Sequence, residues 1–348
     1  MLNMHWRYAW PRKKKHKHNN FVPQQRSGLV IRKALVLTVI FFSSLAAATD
    51  IHFMIPGGAG SGWDSTARGT GMVLRKAQLI DNASFENISG AGGGRAIGTL
   101  IETAERRGNT LMVNSTPIIV RSLTKIFPYS FRDLQPVARI IGDYQVLVAR
   151  PDSSLTNFNE VLSRFRENPR SIKIAGGSVR GDLDHLVPAL AFRAAGENPQ
   201  HVAYVPYDGG GKALAGFLTG EGDLLSTGLS EVLAYHRAGK LKIIAVSATL
   251  PVPGLPELAT FIEQGVDFSF VNWRGFFAAP GIPDSAADEY ATLLKKMQAT
   301  PEWEELRSRN GWQNLYLPRK DFVSFLQQQE KDIGSLMLEL GFLRKDST

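Results

Sequence analysis

From residue 50 onward, short apolar runs alternate with stretches whose apolar residues recur at helical spacing. The runs predict strands over 51–55, 84–88, 110–114, 137–149, 171–175, 201–205, 223–226, 241–247 and 268–279, with helices between most of them. Such strand–helix alternation predicts an α/β fold with parallel strands, which binds ligands beyond the carboxyl ends of its strands. Toward the C-terminus the pattern turns helical. Tyr290, Leu293, Leu294 and Met297 share one face, and Phe322, Leu326, Ile333 and Met337 fall on another. Between them Thr300 predicts an N-cap, Pro301 a first helical position and Gly311 a helix stop.

Two runs exceed the others, PVARIIGDYQVLVAR (136–150) and FSFVNWRGFFAAPG (268–281). A strand too long for one sheet predicts passage into a second, and two such crossovers predict a hinge. The chain therefore divides into a discontinuous lobe of residues 49–145 plus 274–348 and an inserted lobe of residues 146–273. Residues 1–48 stand outside both. There Arg32 and Lys33 precede ALVLTVIFFSSLAAA (34–48), and this basic, apolar, small-residue order predicts a signal peptide ending at Ala48. The run is short for a membrane span. The basic stretch before it, PRKKKHKHNN (11–20), is foreign to such a leader, and a translation start near Val30 would account for it.

Charge changes the picture little. The net charge of +8 comes from the leader, because residues 1–48 hold nine Lys and Arg and none of the 32 acids. The remainder is near neutral, so no basic face for nucleic acid is expected. The chain has no cysteine, which removes disulfides, thiolate chemistry and a lipid-modified cysteine anchor.

The candidate chemistry lies in loops that follow strands. MIPGGAGSGWDSTARG (54–69) places glycines between a strand and a helix start, where backbone N–H groups can face an anion. It lacks the last glycine of a dinucleotide fingerprint. SGAGGGRAIG (89–98) and NSTP (114–117) follow the next strands. AGGSVRGDLDH (175–185), YDGGGKALAGFLTGEGD (207–223) and STGLSE (226–231) do the same in the inserted lobe. Six polar loops, three from each lobe, predict one cleft lined from both sides. Gly211-Lys212 is no P-loop, since Pro206 and Ala213 occupy positions that need Gly and Ser or Thr. Asp182, Asp184 and His185 lie too close together at a helix start to share a metal, and capping or packing is expected of them. Arg68, Arg95, Arg180 and Arg274 lie near the loops, and Trp63 and Trp273 are candidates for the pocket wall or the core. No nucleophile, metal or acid–base constellation stands out, so neither enzyme activity nor a cofactor is expected.

PGGAGSGWDSTAR, NISGAGGGRAIG, VPYDGGGKALAGFLTGEGD and NWRGFFAAPG come in an order and spacing that resembles the extracytoplasmic receptors of tripartite tricarboxylate transporters. The resemblance runs from Ile51 to Leu343. It implies a two-lobed periplasmic binding protein fold of type II-like topology and a monomer that closes on a small organic acid, citrate or a related dicarboxylate among them. It also implies delivery to a membrane permease of one large and one small subunit. Carried onto this chain, the ligand carboxylate falls to Gly58, Ala59, Gly60 and Ser61, with Asp64 capping the helix and shaping the loop. On the other lobe it falls to Gly177, Ser178, Gly181 and His185, with Gly209, Gly210, Thr227 and Gly228 in support. Ser61 and the Arg180–Asp182 pair depart from the usual pattern and would retune the ligand. Two alternatives share this fold: a receptor that presents its ligand to a histidine kinase, and an enzyme.

Overall fold

The computed structural model describes residues 49–343. The expected signal peptide, its cleavage site and the translation start lie outside the described residues. The strands are β1 (Asp50–Ile55), β2 (Asn82–Asn87), β3 (Thr110–Ser115), β4 (Gln135–Ala149), β5 (Lys173–Gly176), β6 (Ala203–Pro206), β7 (Leu224–Gly228), β8 (Lys242–Val246), β9 (Val271–Ala278) and β10 (Gln313–Leu317). The α-helices are α1 (Gly62–Lys76), α2 (Gly94–Glu102), α3 (Pro117–Thr124), α4 (Phe158–Glu167), α5 (Leu183–Ala194), α6 (Gly210–Leu218), α7 (Leu229–Arg237), α8 (Asp284–Met297), α9 (Pro301–Arg309) and α10 (Arg319–Glu339). No helix among the described residues is long and apolar enough to cross a membrane.

The strands form two sheets that share β4. In the first, the order is β2-β1-β3-β9-β4-β10, with β1, β2 and β3 parallel. In the second, β6, β5 and β7 run parallel and β4 lies between β7 and β8. β4 changes sheets between Tyr144, opposite Val271, and Gln145, opposite Gly228. The return crossing reaches β9 through Phe270, whose N–H donates to Ser247 O at 2.8 Å. β4 and β9 run antiparallel to each other and to their parallel neighbours, a departure from a purely parallel sheet. The reason is connectivity: β9 returns along the path that β4 took outward, so the two must oppose.

Each sheet is covered on both faces. Alternation along β9 sends Phe276 and Ala278 into the core under α1, α8 and α9, and Phe277 into the core under α2, α3 and α10. In the second sheet Leu147 and Ala149 of β4 enter one core and Val146 and Val148 the other. Each of the Phe, Leu and Val side chains among them, fully buried, contributes roughly 1.5–3 kcal/mol of transfer free energy. Helix boundaries follow local chemistry. Thr300 Oγ1 accepts from Trp303 N at 3.3 Å ahead of Pro301, and Gly311 takes φ +68° just beyond the end of α9.

Candidate functional site

Six parallel strands end at one cleft between the sheets, where a cavity of about 90 Å³ opens. Every one of the six loops contributes to its wall. From the first sheet come Gly58 and Ser61 after β1, Ser89 and Gly93 after β2, and Ser115 at the end of β3. From the second come Gly177 and Ser178 after β5, Asp208 to Gly210 after β6, and Glu231 after β7. The crossing strands close the back with Gln145, Asn272 and Arg274.

The first loop is shaped by its own side chains. Ser61 caps α1 by accepting from Asp64 N at 3.3 Å. The helix cap therefore falls to Ser61, because its backbone is extended and its Oγ faces the first turn. Asp64 holds the loop: its Oδ2 accepts from Gly60 N at 2.9 Å, and its Oδ1 accepts from Arg68 Nε at 2.8 Å and Asn87 Nδ2 at 2.9 Å. Trp63 lines the cavity and donates its indole N–H to Ser115 Oγ at 3.0 Å. Trp273 instead is buried in the core against Phe322.

The second lobe presents a tight glycine contact. Gly209 N donates to Gly177 O at 3.0 Å, and a Cβ added to Gly177 would lie 2.3 Å from Gly210 N. No side chain fits there. Gly177 N donates to Asp184 Oδ2 at 2.9 Å, and Ser178 Oγ accepts from Asp184 N at 2.9 Å. His185, one residue further around α5, faces away from the cavity. Its ring stacks on Tyr204 at 4.7 Å, and Nδ1 accepts from Gly181 N at 2.9 Å. Burial, with Arg180 nearby, lowers its pKa to about 4, so the ring is a neutral acceptor that holds the loop.

The residues expected from the sequence thus separate. Gly58, Ser61, Gly177, Ser178, Gly209 and Gly210 line the cavity. Ala59, Gly60, Asp64, Gly181 and His185 stand behind it. Thr227 and Gly228 belong to β7, where Thr227 pairs with Val146 and turns to the opposite face from Gln145. The amides of Gly60, Gly177, Gly181, Ser61 and Gly209 already donate within the protein.

Six lining residues with charge or amide groups were not singled out as ligand contacts: Asp182, Asp184, Asp208, Glu231, Gln145 and Asn272. Arg274, noted only as lying near a loop, proves central. Its Nη2 donates to Asp143 Oδ2 at 2.7 Å and its Nη1 to Thr66 Oγ1 at 2.9 Å, with both charged side chains buried. Its Nη2 also lies 4.0 Å from Glu231 Oε1. A Cβ on Gly62 would come within 2.1 Å of Arg274 Nη2 and 2.9 Å of Glu231 Oε1, so α1 approaches this cluster only through a glycine. Burial pushes the Glu231 carboxyl up to about 7 against the pull of Arg274, with Asp143 adding repulsion; the amides of Gly62 and Gly228 favour its charged form. Asp182 pairs with Arg121 at 3.4 Å across the cleft, and burial raises it to about 6. Burial, then Glu231 and Asp182, hold Asp184 well above the usual carboxylate range.

Two sheets joined by crossing strands, with a cavity at the facing loops, define a two-lobed solute-binding protein. Solved structures share that fold. The periplasmic binding protein BugD aligns over 84% of this chain and 97% of its own with a TM-score of 0.74 at 24% identity. An R. palustris protein solved with adipate aligns over 84% and 97% with a TM-score of 0.75 at 20% identity. A UPF0065 protein of Bordetella pertussis is 26% identical over 320 residues, 90% of this chain and 97% of the relative. Residues 69–342 match the family of tripartite tricarboxylate transporter receptors, and the chain belongs to that family.

Proposed function

We propose that the chain is a periplasmic receptor that captures a small organic acid between two lobes, residues 49–145 plus 274–348 and residues 146–273. It passes the acid to a tripartite tricarboxylate transporter permease of one large and one small membrane subunit. Residues 1–48 export it, and it acts as a monomer without turning its ligand over. The observation that carries this reading is the convergence of all six strand-end loops, three from each sheet, on one cavity backed by the crossing strands. A solute there touches both lobes. It therefore binds the closed arrangement better than the open one and drives closure by that difference.

Ser61 and Ser115 receive the carboxylate. Each Oγ already accepts a hydrogen bond, from Asp64 N and Trp63 Nε1 respectively, and each O–H remains to donate into the cavity. Gly58, Ser178, Gly209 and Gly210 close around the solute, while Ala59, Gly60, Asp64, Gly181 and His185 hold the loops in shape and Thr227 and Gly228 anchor β7. The adipate in the R. palustris structure supports the acid class. The test is a thermal-shift screen of receptor purified from periplasm against citrate, malate, succinate and adipate, each with and without divalent metal. At a hundredfold excess over Kd, the bound solute stabilises by about 2.7 kcal/mol. No shift with any carboxylate, together with no acid released from denatured receptor by mass spectrometry, overturns the reading.

A further inference from the structure

The last turn of α10 reaches out of its own lobe. The helix ends in a Schellman turn: Phe342 N donates to Met337 O at 2.8 Å and Gly341 N to Leu338 O at 3.1 Å, with Gly341 at φ +74°. Position 341 needs glycine twice over, because a Cβ there would also lie 2.7 Å from Gln200 Nε2. The turn reverses the chain, so Phe342 folds back beside α5 instead of continuing the helix.

The partners across the lobe boundary all lie on or beside α5. The Phe342 ring lies 4.9 Å from the ring of His185, which also stacks on Tyr204 at 4.7 Å. A Cβ on Gly181 would meet Phe342 at 3.8 Å. Glu339 pairs with Arg193, and Leu340 O lies 3.5 Å from Gln200 Nε2. Leu186 of α5, fully buried, joins the core under α2, α3 and α10, and Leu190 packs against that core and against the core of its own sheet. The exposed Arg193–Glu339 pair adds little. The burial of Leu186 and the ring contact contribute more, and neither requires a solute.

These contacts converge on the second lobe's share of the cavity wall, where Gly177, Ser178 and Asp182 face the cleft. His185 Nδ1 holds that loop by accepting from Gly181 N, and Phe342 holds His185. Arg121 of α3 reaches Asp182 at 3.4 Å while its Nε donates to Gly92 O at 2.6 Å. The first lobe thus grips residues 177–185 through two side chains, Arg121 and Phe342, that do not line the cavity.

We propose that residues 339–343 are a clasp: seated on α5, they hold the two lobes together without solute and keep the loop 177–185 in its closed shape. Phe342 is a positioning residue that acts through His185. The proposal rests on the two-lobe division of the receptor reading and is independent of the solute's identity. A solute then meets a receptor already biased toward closure, and its apparent affinity scales with the closed fraction.

The experiment takes receptor purified from periplasm, freed of solute by unfolding and refolding, as wild type, Phe342→Ala, Phe342→Tyr and Gly341→Ala. Small-angle X-ray scattering reads the radius of gyration, amide hydrogen exchange reads the loop, and urea unfolding reads stability. Phe342→Ala and Gly341→Ala should enlarge the radius and speed exchange across 177–185 at least about tenfold, with exchange along β4 unchanged. Phe342→Tyr, which keeps the ring, should match wild type in both. Gly341→Ala displaces the turn without removing the ring, so it carries the test if Phe342→Ala does not refold. Variants that lose stability yet keep the wild-type radius and loop exchange reveal a packing role alone and overturn the proposal, as do variants indistinguishable from wild type. No solute enters these measurements, so a failed clasp leaves the organic-acid reading standing, and a failed carboxylate screen leaves the clasp standing.

Discussion

Arg274→Met removes the charge at the centre of the hinge while leaving a side chain to fill its space. Arg274 sits on β9, is 2% exposed, and joins Asp143 of β4 to Thr66 of α1. Asp143 is fully buried and would keep only Ser230, whose Oγ donates at 2.6 Å and whose N–H donates at 3.3 Å. Removing one partner of a buried ion pair costs about 3–5 kcal/mol, because the remaining charge is left uncompensated. At roughly 2 °C per kcal/mol for a chain of this size, Tm falls by about 6–10 °C. The loss depends on pH in a defined direction. Burial raises the Asp143 pKa in the folded state despite Arg274, and without Arg274 it rises further. Folding then takes up a proton above the ordinary carboxylate range, so the variant recovers stability relative to wild type as pH falls. Urea unfolding at pH 7.5 and 5.5 reads both effects, and Arg274→Met with Asp143→Asn should restore more than half of the loss. A single variant within about 1 kcal/mol of wild type at pH 7.5, or an equal deficit at both pH values, would refute the reasoning.

Glu231 makes the ligand-free receptor more stable in mild acid. Its pKa is about 7 folded against an ordinary 4.5, so folding takes up a proton between those values. Its contribution grows as pH falls from 7 toward 4.5, amounts to about 3 kcal/mol, and is lost above 7. His185 acts oppositely below 6.5, since its folded pKa is about 4. Scanning calorimetry from pH 8 to 5 should show a smaller rise in Tm for Glu231→Gln than for wild type. Ser61→Ala removes both the α1 cap and a cavity hydroxyl. It should lower stability by about 1 kcal/mol and solute affinity about fivefold, with Ser61→Thr restoring the cap, measured by urea unfolding and calorimetric titration.

The alternation of apolar runs was enough to place the strands from β1 to β9, because β3, β4, β7 and β9 are buried almost throughout and even the half-exposed edges β2 and β6 carry apolar residues that stand out against their polar loops. β10 was missed: QNLYL is short, half exposed and irregularly paired on an edge of β4. Its strand character comes from the partner rather than from its own pattern. The antiparallel course of β4 and β9 was also invisible, since length announces a crossing but not its direction. The glycine loops were legible as a set because only glycine permits contacts such as Gly177 on Gly210. What the loops do with their amides was not, since that depends on which acids fold back onto them. Asp184 and His185 are neighbours in sequence, yet one side chain enters the cavity and the other packs on Tyr204. A single step of about 100° around a helix decides the matter. Gln145 gave no signal, being one polar residue in a long buried strand.

β4 is an interior strand twice over, between β9 and β10 in one sheet and between β7 and β8 in the other. Because one continuous strand supplies the central member of both sheets, a cut at the Tyr144–Gln145 step must still be matched in register at the β9 crossing, and a cut elsewhere along it strips one sheet of part of that member. A lobe of this receptor is therefore not a cassette that recombination can exchange with a relative. Lineages that descend from such a scaffold must acquire new solutes by rewriting the loops at the strand ends, one substitution or insertion at a time, while the shared strand is inherited whole.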